Sequence, residues 1–356
     1  MTLQPTSVED LQAAVTQHPR VHVRGAGTKT ALSAPRPGTP TLDVAGLTGV
    51  LEHTPEECTF TALAGTRIDE IETRLAACGQ YLPFDPPLSA SGATLGGTVA
   101  AGVNGSCRLR YGGVRDFLIG ARVVDGRGRI IRSGGKVVKN AAGFLLHQAL
   151  VGSCGRLGIL AELTFKVFPA AEAHATLRVP VADLPAAVAL VDSVRRAGFD
   201  LEALDIEPPS VIWVRLAGFR DSLASRLDAV QLAMGGGTDV STGEHDAAIW
   251  RDARELAWVP ANHALVRVPI TLPTLTRLDA ALEWYETVRR YTVAGNLALI
   301  AWNGALDSLS TLLRDLTLKG QVLIGPTDHR FIGAVPSNAV EERLASVMDP
   351  DARFVA

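Results

Sequence analysis

Arg24-Gly25-Ala26-Gly27-Thr28-Lys29-Thr30 follows the short alternating run Val21-His22-Val23, and a glycine-dense stretch runs later from Ser91 to Gly158. Glycine lacks the Cβ that would hold a ligand off the backbone. It also permits φ > 0 turns that aim successive N–H groups at one anion. Two such loops, each after an extended apolar segment, with a third small-residue segment at Gly152-Ser153-Cys154-Gly155, suit a cradle for a long anionic ligand. The same glycines would also serve as tight turns in a packed sheet.

Two familiar phosphate signatures fail. A dinucleotide fingerprint needs G-x-G-x-x-G, but Gly25-Ala26-Gly27 is followed by Thr28, Lys29 and Thr30, so the third glycine is missing. A P-loop needs Gly directly before Lys, and here Thr28 stands there. At 356 residues the chain is long enough for two domains. A net charge of -3 gives no reason to expect nucleic acid. Cys58, Cys78, Cys107 and Cys154 are widely spaced without C-x-x-C, which supports neither a zinc site nor an iron–sulfur cluster. No apolar run reaches 18 residues and the first residues carry no leader pattern, so a cytoplasmic chain without membrane insertion is expected, with membrane association through partners as the alternative.

The pattern along the chain is mixed. Thr6-x-x-Glu9 predicts a capping box and a helix through Gln17, and strands are expected at Gly49–Thr54 and Cys58–Ala64. Ile68, Ile71, Leu75 and Ala76 mark an amphipathic helix closed by Gly79. Pro83-Phe84-Asp85-Pro86-Pro87 is a stiff connector, and Asp125-Gly126 joins a hairpin. Lys139–Val151 is expected to be helical and Leu157–Val167 a strand. Phe168-Pro169 reads as a boundary. Beyond it, helices at Leu184–Ala197 and Ser222–Met234 and strands near Thr176–Val179, Val211–Leu216 and Ala264–Val268 give an α+β unit with antiparallel character and no visible repeat. The expected division is 1–170, with subdomains 1–82 and 83–170, then 171–330, then a tail 331–356 packing back on the first domain.

Arg24-Gly25-Ala26-Gly27-Thr28, Pro86-Pro87, Ala93-Thr94-Leu95-Gly96-Gly97, Tyr111-Gly112, Lys139-Asn140-Ala141-Ala142-Gly143 and Gly152-Ser153-Cys154-Gly155-Arg156-Leu157-Gly158-Ile159 occur in an informative order. Together they resemble the vanillyl-alcohol-oxidase, or PCMH, type of FAD-binding protein. Within it, the chain is similar to the family of FAD-binding subunits of bacterial glycolate oxidases. The likeness is dense from Val21 to Phe168 and thin afterwards. It implies an α+β fold: a PCMH-type domain of two α+β subdomains followed by a smaller α+β domain.

The resemblance further implies that Gly25, Ala26, Gly27, Thr28 and Lys29 hold the FAD diphosphate. Pro87 belongs to the same motif set, and Thr94, Leu95, Gly96 and Gly97 would cover the diphosphate and ribityl chain. Gly102, Asn104, Gly105 and Ser106 would run beside the flavin, and Ser153, Gly158 and Ile159 would line the adenosine or ribityl side. Lys139 could sit near the flavin, and Arg110 is the one arginine of a basic stripe set apart by Tyr111-Gly112. Covalent attachment in relatives uses a histidine in the first loop; none is present, so non-covalent FAD is expected. His22 precedes the loop and reads as structural.

No catalytic residue can be named. Related D-lactate and D-2-hydroxyglutarate dehydrogenases carry an H-x-H pair and a G-D-G segment in the C-terminal half, and this chain has neither. His174, His245, His263 and His329 are isolated, His245 between Glu244 and Asp246 is a weak acid–base or metal candidate, and Asp205-x-Glu207 reads as an exposed loop. No metal site is expected. In the family this subunit resembles one part of a complex with a larger flavoprotein and an iron–sulfur subunit, acting on a small 2-hydroxy acid. A free-standing FAD-dependent dehydrogenase and a scaffold with a degenerate flavin site are the alternatives. Two departures stand out. Phe144-Leu145 replaces an aromatic–Asp pair, and the tail runs Asp349-Pro350 to Phe354-Val355-Ala356 where relatives close on N-P-G.

Overall fold

The computed structural model describes residues 1–34, 37–135, 145–209, 211–326, 329–336 and 339–355. The chain divides into two compact units: Met1–Asn104, Gly112–Ala170 and Ser337–Ala356 form the first, Gly105–Tyr111 and Ala171–Pro336 the second.

The first unit starts with β1 (Thr2–Leu3) and α1 (Val8–Gln17). The helix cap is Ser7 with Asp10, one residue later than expected from Thr6 and Glu9: Ser7 Oγ accepts from Asp10 N at 3.0 Å. That register turns Val8, Leu11 and Val15 inward, which is why it prevails. β2 (His22–Arg24) and β3 (Thr41–Asp43) complete a parallel sheet ordered β1-β3-β2. A five-stranded antiparallel sheet follows, built from β4 (Val50–Thr54), β5 (Thr59–Leu63), β7 (Leu118–Val124), β8 (Ile130–Gly134) and β9 (Ile159–Lys166) in the order β4-β5-β9-β7-β8. β6 (Gln80–Tyr81) pairs with β10 (Phe168–Pro169). α2 (Ile68–Ala76) buries Ile68, Ile71 and Leu75 but leaves Ala76 exposed. The proline connector delivers Phe84, fully buried, between Phe117 and Phe165 at centroid distances of 5.9 and 5.5 Å. α3 (Leu95–Ala101), α5 (Val114–Phe117) and α6 (Leu146–Ala149) are short. Of the helix expected over Lys139–Val151, residues 139–144 lie outside the described residues.

The C-terminal segment completes this unit. α12 (Ala339–Met348) leads to Asp349, whose carboxylate accepts from Arg353 N at 2.9 Å and Phe354 N at 2.8 Å. Phe354 then enters the core beside Val21 and Leu42, and its stretch pairs with Val21 through Val21 N to Arg353 O at 2.8 Å. Ring nitrogens of His22 face the carbonyls of Val355 and Ser33, a structural role. Asp349→Asn removes charge from two hydrogen bonds, one of them buried and one half-buried. It is expected to lower stability by about 2 kcal/mol in urea unfolding.

The second unit is a nine-stranded antiparallel sheet with a duplication that the sequence hides. β11 (Ala173–Pro180), α7 (Leu184–Ala197), β12 (Ala203–Glu207), β13 (Val211–Gly218), α8 (Arg220–Ala233) and β14 (Asp239–Thr242) make one βαββαβ motif. After α9 (Gly243–Arg254), a second comprises β15 (Ala264–Pro269), α10 (Leu272–Leu282), β16 (Val288–Thr292), β17 (Leu297–Trp302), α11 (Leu306–Asp315) and β18 (Lys319–Ile324). The sheet order β14-β11-β13-β12-β16-β17-β15-β18, with β19 (Phe331–Gly333) appended, reads the first motif forward and the second in mirror order. The expectation of no repeat is therefore corrected. Its trace is Arg178-Val179-Pro180 before Leu184-Pro185, echoed by Arg267-Val268-Pro269 before Leu272-Pro273 with one residue fewer between. α4 (Arg108–Tyr111) belongs to this unit.

Candidate functional site

An open cleft, about 720 Å³ counted with the solvent at its mouth, lies wholly within the first unit. Its first wall is the end of β2 and the loop after it, from Val23 to Lys29, with Leu32 and Ser33 behind it. The opposite wall is the start and one face of α3: Ala93, Thr94, Gly96, Gly97, Ala100 and Ala101. The third is the turn carrying Cys154, Gly155 and Gly158, and Val44, Ala64 and Leu160 supply apolar floor.

Small residues are required where these walls meet. A Cβ on Gly25 would stand 2.5 Å from Thr94 Oγ1, the atom that caps α3 by accepting from Gly97 N at 3.2 Å. Gly158 has φ +144°, and its Cβ would collide with Val123 at 2.6 Å. The walls differ chemically. The amides of Leu95, Gly96 and Gly97 are committed to Thr66 O, Ala64 O and Thr94 Oγ1. Those of Gly25, Ala26, Gly27 and Thr28 meet no protein acceptor among the described residues. The first loop is thus the donor wall and α3 a steric wall. Lys29, only 6% exposed, and Arg24, tied to Asp43 at 2.7 Å, add positive charge beside those amides.

Of the residues singled out in the sequence, the cleft gathers Gly25, Ala26, Gly27, Thr28, Lys29, Thr94, Gly96, Gly97 and Gly158. Others sit elsewhere. Leu95 and Ile159 are fully buried core residues, and Pro87 is buried in the connector. Gly102 ends α3 at φ +62° and seats Gly152 against it. Asn104 clips the chain by accepting from Val114 N at 2.6 Å. Ser153 is buried beside the lining pair Cys154 and Gly155. Gly105, Ser106 and Arg110 fall in the second unit, where Ser106 Oγ donates to Asp205 and Arg110 pairs with Asp200 at 2.5 Å. Lys139 lies outside the described residues. Arg24, Ser33, Ala100, Ala101 and Cys154 were missed as lining; of these only Arg24 and Cys154 stood inside quoted motifs.

Two candidates of the C-terminal half are also corrected. Asp205 is not on an exposed loop but on β12, 5% exposed, because Ser106 and Val293 N give its carboxylate donors. Asp246 is buried and committed to Arg215, and His245 is exposed on α9. Among the described residues, no group of three or more His, Cys, Asp or Glu could hold a metal.

Open amides, buried positive charge and glycines that a Cβ would block are what a dinucleotide diphosphate needs, and the apolar floor suits aromatic rings. Residues 1–134 match the FAD binding domain family. Glycolate oxidase subunit GlcE of Escherichia coli K12 is 34% identical over 252 residues, covering 70% of this chain and 67% of that protein. The chain belongs to the GlcE family. Glycolate oxidase subunit GlcD of Bacillus subtilis 168 is 35% identical over 145 residues, 41% of this chain and 31% of that protein. A solved alkyldihydroxyacetonephosphate synthase superposes with a TM-score of 0.74 at 15% identity, covering 99% of this chain and 75% of that one, a likeness of fold. The cofactor is FAD, and the α+β PCMH-type architecture is that of the family. When bound, FAD supplies acceptance of a hydride. The residues that would hold it are the first loop, through its open amides, with Lys29 and Arg24 beside them and α3 and the Cys154 turn as the facing walls.

Proposed function

We propose that this chain is the FAD-binding subunit of a glycolate oxidase-like complex, assisting oxidation of glycolate to glyoxylate and passing electrons to a partner. The carrying observation is the donor wall: a loop whose amides meet no protein acceptor among the described residues, facing an open cleft, in a chain of the GlcE family. The partners are a larger flavoprotein subunit and an iron–sulfur subunit. Four scattered cysteines, Cys58, Cys78, Cys107 and Cys154, suit a chain that hands its electrons onward rather than relaying them through a cluster of its own. The site of action is cytoplasmic; no helix among the described residues is long and apolar enough to cross a membrane.

The purified chain is expected to be yellow, and its flavin absorbance to bleach with glycolate only when the larger flavoprotein is added. Bleaching by glycolate with no partner present would replace the subunit role with that of a free-standing dehydrogenase. A chain that takes up no FAD would end both.

A further inference from the structure

The turn that forms the third wall of the cleft has little shape of its own. Gly152, Cys154, Gly155 and Gly158 all take positive φ, at 81°, 51°, 81° and 144°, and glycine gives up the most backbone freedom when it is fixed. The start of the turn is tied to α3, Gly152 N donating to Val99 O at 3.0 Å and Cys154 N to Ala100 O at 2.9 Å. From there to β9 its side-chain anchors are Leu157, buried in the core, and Arg156. The Arg156 guanidinium donates through Nε to Ser153 O at 3.3 Å and through Nη2 to the Glu341 carboxylate in the first turn of α12.

The same C-terminal segment reaches the first wall. Met348 O accepts from Gly126 N at 2.8 Å, and Arg353 Nη1 donates to Val15 O at 2.9 Å and His18 O at 3.1 Å, so the segment is fixed midway to the β7–β8 hairpin and to the end of α1. Beyond that point Val355 N donates to Val21 O at 3.0 Å. The His22 ring stands between Val355 O at 3.1 Å and Ser33 O at 3.3 Å, and Ser33 Oγ donates to Lys29 O at 2.9 Å, where the donor loop ends. One segment thus braces both of the walls between which FAD is held.

We propose that this segment is a clasp for the cofactor and that Glu341 is a positioning residue, acting through Arg156 to keep the Cys154 turn in place opposite the first loop. The inference rests on the FAD assignment alone and is indifferent to the substrate. Binding and order are linked: whatever factor the pair adds to FAD affinity, FAD must add to the docked state of α12. The two side chains are 37% and 25% exposed, so the pair's share is modest, about threefold in affinity.

The test is FAD titration of the whole chain, followed by flavin fluorescence, with hydrogen exchange of α12 and iodoacetamide alkylation of Cys154 read alongside. Glu341→Gln should weaken FAD binding about threefold and reduce, by a like factor, the slowing of exchange that FAD produces across Ala339–Met348. Glu342→Gln, its exposed neighbour in the same turn, takes an equal charge from the helix N-terminus and should change neither. Arg156→Glu sets two carboxylates together and should weaken binding about tenfold, and adding Glu341→Arg should recover most of that loss. Before FAD is added, Glu341→Gln should also speed alkylation of Cys154 while Cys78 is unchanged. Equal effects of Glu341→Gln and Glu342→Gln, or no recovery in the reversed pair, overturn the proposal. So does α12 exchange in the parent that FAD leaves unchanged. In each of those outcomes FAD still binds and the cofactor assignment stands, whereas a parent chain that takes up no FAD ends both.

Discussion

Arg215→Met should destabilise the second unit by about 3–5 kcal/mol, measured by urea unfolding. Arg215 on β13 stands between two carboxylates that are almost wholly buried, Glu202 at 3.3 Å and Asp246 at 2.6 Å. Burial opposes the guanidinium's charge, but the two carboxylates outweigh it and hold its pKa above the usual arginine value. Around them Thr176 Oγ1 donates to Asp246 at 2.6 Å, Trp250 Nε1 donates to Thr176 at 2.7 Å, and the Arg215 guanidinium lies 5.7 Å from the Trp250 ring. Removing the cation strands two negative charges in a low-dielectric interior, which costs more than the pair ever contributed. The triple variant Arg215→Met, Glu202→Gln, Asp246→Asn should therefore recover most of the loss. A single variant as stable as the parent would mean that the carboxylates reach water, contrary to their burial.

That cluster also marks where sequence reasoning stops. Asp246 was noticed for its neighbour His245 on α9, yet its partner Arg215 is 31 residues away on strand β13. Asp205 looked exposed because Asp-x-Glu is locally polar, but Ala203-Leu204-Asp205-Ile206-Glu207 alternates as a strand, and the donor that permits burial comes from Ser106, 99 residues earlier. Local signals fared better. Leu184–Ala197 was legible end to end because Asp183 caps it and Gly198 stops it. The first loop and the start of α3 were legible because glycine, unlike a buried charge, announces its reason in the sequence. The duplication escaped because its two copies share a fold pattern and one short echo, while core positions accept any apolar residue of suitable size.

Ala26→Asp should weaken FAD binding by roughly a hundredfold, about 2.7 kcal/mol, while leaving the fold intact. Ala26 is exposed in the loop and lines the cleft, so a larger side chain there displaces nothing in the core. Its carboxylate would stand among the open amides that the diphosphate needs. One like-charge contact near a protein surface costs on the order of a few kcal/mol. Gly96 is the less informative target despite its place in the motif. A Cβ there would lie 2.8 Å from Ala64 Cβ and 2.9 Å from Ala64 O, so any substitution injures the junction of α3 with β5 before it reaches the ligand. Cys154 offers the independent readout, since it lines the cleft at intermediate exposure. FAD should slow its alkylation by iodoacetamide in the parent chain, and Ala26→Asp should abolish that protection at FAD concentrations that saturate the parent. Cys78, which is exposed, should be alkylated at the same rate with or without FAD. Unchanged FAD affinity in Ala26→Asp would mean that the diphosphate does not lie on the first loop, and the assignment of the donor wall would fall with it.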